Sequence, residues 1–153
     1  MAIERILTRG VFGALVLAAV SACTSSSEPT EDGIPFEGFW RLTIDVTVAT
    51  GICAGEEDDP IEVTDALITE EAGVVTATGI WSSESGSVSL TGDRSGNTIR
   101  FGGSYAEDGG TTSTLYTLTV AEGSLTGTEF WTWNGPDGSS CPGSQSTVTG
   151  VPR

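Results

Sequence analysis

Two acidic residues, Asp65 and Glu129, stand where the strand alternation otherwise places apolar side chains. Asp65 is in phase with Val63 and Leu67, and Glu129 is in phase with Leu125. Two inward carboxylates could bind a cationic or hydroxylated ligand, or act as the acid and the nucleophile of a glycosidase-like enzyme. A register slip or a β-bulge is the simpler explanation of their phase, so we expect no enzyme.

The sequence contains no histidine, and this restricts the chemistry further. Histidine is the usual general base near neutral pH and the commonest transition-metal ligand, so its absence excludes serine-histidine catalysis and histidine-ligated zinc. The acidic run Glu56-Glu57-Asp58-Asp59 could offer oxygen ligands to calcium. Because the run lacks the spaced D-x-D-x-D-G pattern, we predict a solvated turn, with no metal and no other cofactor.

Aromatic residues form the other candidate site. The four tryptophans make a set large enough to line a hydrophobic cavity. An eight-stranded barrel has the size at which side chains either fill the interior or leave room for one small ligand. The alternation gives five candidates for the cavity wall: Trp40, Phe101, Tyr105, Trp131 and Trp133. A filled core without a ligand is the alternative.

These side chains must be positioned by strands, because apolar residues recur with period two from about residue 36 onward. In the opening strand the apolar phase comprises Trp40, Leu42, Ile44, Val46 and Val48. Turn-forming residues separate eight strands, predicted over 37–52, 60–70, 73–82, 86–92, 97–106, 111–121, 123–134 and 144–151. Short connections favour antiparallel hairpins. The predicted fold is all-β, an eight-stranded antiparallel up-and-down barrel over residues 36–153.

The cysteines provide a test of barrel closure. The chain has three, Cys23, Cys53 and Cys141, and an odd thiol in an exported protein calls for an explanation. In a closed meander the first and last strands are antiparallel neighbours, so the exit of the first strand at Cys53 should lie near Cys141. We predict a disulfide across this seam, and two unrelated buried thiols are the alternative.

The segment Val20-Ser21-Ala22-Cys23 follows an uncharged apolar run that begins at Gly10, and it resembles the lipobox of bacterial lipoproteins. The resemblance implies that residues 1–22 are a signal peptide cut by signal peptidase II. It also implies that Cys23 carries a diacylglyceryl anchor, which makes a membrane the partner of this residue. An ordinary secretory signal peptide is the alternative reading.

The residues after the lipobox suggest a tether and a location. Residues 23–35 are mostly polar and are expected to form a flexible linker between the anchor and the domain. Thr24 replaces the aspartate that, in Gram-negative lipoproteins, marks retention at the inner membrane. The resemblance therefore implies an exported protein of the cell envelope, anchored in the outer membrane.

The opening strand carries a second resemblance. Gly38-Phe39-Trp40 is similar to the G-x-W element that opens the first strand of lipocalins and avidin-like barrels. The stretches 123–128 and 144–150, taken with the cysteine pair, resemble small lipocalin-like bacterial lipoproteins. These similarities imply a fold and a location, and they carry no catalytic residue to this chain.

Charge narrows the range of partners. The formal net charge at pH 7 is −15, which repels nucleic acid and anionic lipid head groups. We therefore expect no nucleic-acid partner, and the sequence identifies no protein partner. The expected function is a lipid-anchored envelope protein whose barrel binds a small hydrophobic or amphipathic ligand. The alternative is a structural or protein-interaction lipoprotein with a solid barrel core.

Overall fold

The computed structural model describes residues 35–59, 61–83 and 86–153. The predicted signal peptide (1–22), the lipidation site at Cys23 and the linker as far as residue 34 lie outside the described residues. Within the described ranges, no helix has the length and apolar character needed to cross a bilayer.

Eight antiparallel strands form one closed barrel, as the alternation predicts. The strands are β1 (Gly38–Val48), β2 (Glu62–Glu71), β3 (Val74–Ser83), β4 (Gly86–Ser95), β5 (Thr98–Glu107), β6 (Gly110–Ala121), β7 (Ser124–Asn134) and β8 (Ser140–Pro152). Each strand pairs with the next one in the sequence, and β1 pairs with β8 to close the cylinder. Closure matters physically because it leaves no unpaired strand edge.

Several strand ends differ from the prediction by one to four residues, and the two largest differences have local reasons. β1 ends at Val48, because the chain turns there into two short 3-10 helices, Gly51–Cys53 and Glu56–Asp58. β8 begins at Ser140, four residues early, and its pairing with β7 shifts register between Trp131 and Trp133. This irregularity accommodates Pro142, which has no amide hydrogen to donate to a regular ladder.

The barrel interior differs between its two ends. We call the end at which β1 begins and β8 finishes the packed end, and the opposite end the open end. The packed half holds the fully buried apolar core, which includes Leu42, Ile68, Val75, Leu90, Ile99, Phe101, Leu118, Val120, Leu125 and Val148. Phe101 and Tyr116 stack there with ring centroids 5.1 Å apart. Such tight packing leaves no room for a ligand in this half.

Phe36 fills the packed end from outside the strands. Its side chain is only 1% exposed, and its carbonyl oxygen accepts a 2.6 Å hydrogen bond from Trp40 Nε1. The guanidinium of Arg94 lies over the Phe36 ring, 4.7 Å from the centroid, which adds a cation–π contact. The segment before β1 therefore acts as a plug of the core.

The side chains of Asp65 and Glu129, the two acidic residues in the apolar phase, point to opposite faces of the barrel wall. Asp65 faces outward, so it is not an inward carboxylate, and its carboxylate pairs with Arg41 at 3.2 Å and with Arg153. The inward residues of β2 are its alternate neighbours Ala66 and Ile68, both fully buried. The outer face of β2 also carries apolar residues, Val63 among them, so the alternation in the sequence does not identify the inner face of this strand. Glu129, in contrast, does point into the barrel and is 2% exposed.

Candidate functional site

A cavity of about 510 Å³ occupies the open end of the barrel. Its aromatic wall is formed by Trp81, Tyr105, Trp131 and Trp133. Acidic side chains line it as well: Glu56, Asp59, Glu62, Glu107, Asp108 and Glu129. Proteins bind small molecules in concave, partly aromatic cavities of this size that contain a few fixed polar groups. The interior is thus solid in one half and hollow in the other.

The five predicted wall residues divide between the two halves. Tyr105, Trp131 and Trp133 line the cavity. Trp40 and Phe101 instead lie in the packed half, where they are 3% and 1% exposed. They face the interior as the alternation requires, but they lie below the floor of the cavity among the core side chains.

Trp81 reaches the wall because β3 is irregular. Its pairing with β4 shifts register between Thr78 and Ser82, and Gly79 within this stretch has a φ of +89°. A side chain on Gly79 would also press against the carbonyl oxygen of Asp65, so glycine is required there. The irregularity breaks the alternation, with the result that Ile80 is buried while Trp81 lines the cavity.

Glu129 provides a fixed carboxyl group at the bottom of the cavity. Its Oε1 accepts a 2.6 Å hydrogen bond from the hydroxyl of Thr114, and the Tyr116 hydroxyl donates to the same carboxyl group. Tyr116 is itself held by Trp81, whose indole Nε1 donates to the Tyr116 oxygen at 2.8 Å. Three strands therefore fix the orientation of one carboxylate before any ligand arrives, which is the preorganisation that binding sites need.

The environment of Glu129 is strongly acidic. Burial raises the pKa of Glu129, the hydrogen bonds from the hydroxyl groups oppose this effect, and the nearby charge of Glu107 adds to it. Burial likewise raises the pKa of Glu62 on the rim, and repulsion from Glu129 and Glu107 raises it further. The pKa of Tyr105 is also raised, first by burial and then by these three carboxylates. The cavity thus concentrates negative charge that the described lining residues do not neutralise.

Ser146 lies beside Glu129 in the cavity wall. Its side chain is 1% exposed, and its position opposite Glu129 in the β7–β8 ladder directs it toward the same interior space. Within the described ranges, its Oγ is the buried side-chain polar atom that has no partner at good hydrogen-bond geometry. Its contact with the neighbouring Glu129 carboxyl group is poorly aligned, and a poorly bonded buried hydroxyl is costly, so this atom can bond a ligand instead.

A disulfide holds the mouth of the cavity. Cys53 and Cys141 are joined across the β1–β8 seam, with Cα atoms 5.6 Å apart, as the closed meander predicts. Thr50 adds two hydrogen bonds, because its amide donates to Ser144 Oγ at 3.2 Å and its Oγ1 accepts from the amide of Gly143 at 3.1 Å. The β1–β2 connection is therefore fixed against the start of β8 and forms part of the rim.

The acidic run contributes to this rim without forming an ion cage. Residues Glu56–Asp58 form a single 3-10 turn, and the Glu57 carboxylate accepts a 3.0 Å hydrogen bond from the Gly55 amide. In the part of the chain that the structure describes, no group of three or more Asp, Glu, Cys or His side chains is arranged to hold a metal ion.

Comparison with known proteins gives no further guide to this arrangement. No protein-family model, no curated protein and no solved structure matches the chain. The function is therefore argued from the cavity, its charges and its hydrogen bonds.

Proposed function

We propose that this protein is a lipid-anchored protein of the cell envelope whose barrel binds one small amphipathic molecule in the open-end cavity. The observation that carries the proposal is the cavity of about 510 Å³, with tryptophan and tyrosine walls and a fixed carboxyl group at its floor. Apolar walls bind the body of a ligand, while a few fixed polar groups orient it. A structural lipoprotein with a solid barrel would not need this hollow half.

The anchor is supported by the lipobox resemblance at Cys23 and by the direction of the chain. The first described residues, 35–37, enter β1 at the packed end. The chain that follows Cys23 would consequently enter the barrel at the packed end, and the mouth of the cavity is at the other end of the barrel. Two or more acyl chains hold a protein firmly in a bilayer, and the outer membrane is the location that Thr24 favours.

Lipidation is tested on the full chain produced in a bacterium that processes lipoproteins. Mass spectrometry of the mature protein is expected to find an amino-terminal peptide that begins at Cys23 and carries diacylglyceryl. The C23S variant is expected to leave the membrane fraction, because it has no thiol to modify. An unmodified amino terminus, or a C23S variant that remains with the membrane, contradicts the anchor.

Ligand binding is tested with three probes that share a phenylbutyl body: 4-phenylbutylamine, 4-phenyl-1-butanol and 4-phenylbutyrate. At least one is expected to bind saturably in calorimetry and to shift the indole N–H resonances of Trp81 and Trp133, which face the cavity. The W131A variant is expected to weaken binding about tenfold, since it removes an aromatic wall.

Phe130 supplies the control for this experiment, because it is the neighbour of Trp131 on the same strand and points outward with 50% exposure. The F130A variant should bind the probes as the unaltered protein does. If none of the three probes binds, or if F130A and W131A weaken binding equally, the cavity is not the binding site that we propose.

A further inference from the structure

The arginines of the barrel all lie toward the packed end. Arg41 and Arg100 are near the starts of β1 and β5, Arg94 is near the end of β4, and Arg153 follows β8. The chain contains no lysine and no histidine. In the described residues, therefore, the charged side chains of the open end are all acidic. A cleft lined by one sign of charge concentrates ligands of the opposite sign.

The aromatic wall favours the same kind of ligand. The faces of tryptophan and tyrosine rings carry negative quadrupole charge and attract cations, most strongly where water is excluded. Trp81, Tyr105, Trp131 and Trp133 surround a cavity that also contains carboxylates, so ring faces and charges act in the same direction. Neither feature would favour an anionic ligand.

The floor of the cavity has unused hydrogen-bonding capacity. Thr114 and Tyr116 donate hydrogen bonds to Glu129, and Ser146 approaches the same carboxyl group at poor geometry, whereas an ionised carboxylate has about four acceptor positions. The buried Oγ of Ser146 lies next to this carboxyl group, and its contact with it falls short of good hydrogen-bond geometry. A buried carboxylate without a counter-charge is unfavourable, and a cation that donates hydrogen bonds would compensate it.

Resting on the proposed binding function, we propose that the ligand is a small organic cation: an ammonium group on an apolar body. The ammonium group lies against Glu129 and Ser146 at the floor, and the apolar body lies between the indoles of Trp81, Trp131 and Trp133. A neutral ligand would leave the Glu129 carboxylate unpaired, and an anion would be repelled by it. A bare metal ion would leave the aromatic wall unused, and the acidic side chains are not arranged as its ligands.

The test compares the same three probes, whose phenylbutyl body is constant while the head group changes. At pH 7 and low salt, 4-phenylbutylamine is expected to bind at least about tenfold more tightly than 4-phenyl-1-butanol, and 4-phenylbutyrate most weakly. If the alcohol or the carboxylate binds as tightly as the amine or more tightly, the proposal of a cationic ligand is wrong, although the cavity remains a binding site. Failure of all three probes to bind would instead overturn the binding function itself.

Variants assign the preference to Glu129. E129Q retains an acceptor for Thr114, and it is expected to remove most of the preference for the amine while changing the affinity for the alcohol less than about twofold. E71Q removes the same charge from an exposed position at the packed end and should leave the preference unchanged. If the indole N–H resonances show that E129Q is unfolded, E62Q on the rim provides the test. Its loss of preference for the amine is expected to be smaller. An unchanged preference in the folded variant contradicts the assignment.

The pH dependence provides an independent measurement with 4-phenylbutyl-trimethylammonium, whose charge does not titrate. Its affinity is expected to rise as the pH is increased through and above the usual range of a glutamate, because burial raises the pKa of Glu129 and of Glu62. The other titratable groups around the cavity are Glu107, Tyr105, Tyr116, Glu56, Asp59 and Asp108. Burial also raises the pKa of Glu56, and it keeps both tyrosines neutral, so the comparison with E129Q isolates the contribution of Glu129. A flat profile, or one that is unaltered in E129Q, contradicts the inference.

Discussion

Loss of the Cys53–Cys141 disulfide is expected to lower the free energy of unfolding by about 3 to 4.5 kcal/mol. The bridge joins residues separated by 88 positions, and closing so long a loop removes a large amount of conformational entropy from the unfolded chain. The bridge also holds the β1–β2 connection, whose Gly51 has a φ of +67° and lies so close to the Ser140 carbonyl that a side chain would clash. The double variant C53A/C141A and its parent are compared by urea denaturation.

The control separates the bridge from the buried sulfur atoms. Cys141 is fully buried, so its replacement by alanine also removes packing contacts. The parent protein measured in excess reductant keeps both sulfur atoms and should lose most of the same stability. A loss of less than about 1 kcal/mol in both measurements would mean that the hydrogen bonds of Thr50 hold the seam without the bridge.

The F36A variant is expected to lose about 3 to 5 kcal/mol of unfolding free energy, the second large effect. Phe36 is 1% exposed although it lies outside the strands, and its ring contacts both the core and the guanidinium of Arg94. Truncation would leave a void at the packed end and would remove the cation–π contact. Chemical denaturation monitored by tryptophan fluorescence measures the change, because Trp40 donates its hydrogen bond to the same residue.

Phe39 is the matched control for Phe36, since it has the same side chain three residues later and is 59% exposed. The F39A variant should change stability by no more than about 0.5 kcal/mol, as most surface substitutions do. Similar losses in both variants would show that Phe36 is not a specific plug of the core.

The fold could be predicted because turn residues separate the strands and most strands show their own alternation. In β1, the alternation of Trp40, Leu42 and Ile44 with polar residues identifies an inner and an outer face, and the structure has all three buried. The cysteine positions then fit only if the first and last strands meet. Strand ends were less predictable, because a local irregularity such as that at Pro142 depends on pairing with a neighbour that the sequence does not display.

The site was only partly predictable, because alternation gives the face of a residue and not its height in the barrel. Trp40 and Trp131 both face inward, yet one lies in the core and the other in the cavity wall. Their heights follow from the stagger between strands and from the way Phe36 fills one end. The alternation puts Glu129 in the apolar phase, but the register slip or β-bulge that we preferred as the explanation is wrong for this residue, which does point inward. Its hydroxyl partners on β6 become visible only through the register.

The rim acids have a signal that sequence reasoning missed. Glu62 begins β2 and Glu107 ends β5, so in an up-and-down barrel both must lie at the same end, near the loop that contains Glu56 and Asp59. Because strand direction alternates in a meander, the position of each acidic residue along its strand shows at which end of the barrel it lies. This would have predicted that these carboxylates lie together. The irregularity that brings Trp81 to the wall had no comparable signal beyond Gly79 itself.

Both ends of the folded domain leave the barrel on one side. The backbone amide of Arg153 donates to the carbonyl oxygen of Phe39 at 2.9 Å, so the last residue lies beside the first strand. A support, a fluorophore or a fused protein attached after Arg153 would therefore leave the barrel at the end opposite the cavity mouth. Copies immobilised in this way would all present the open end of the barrel to the solution.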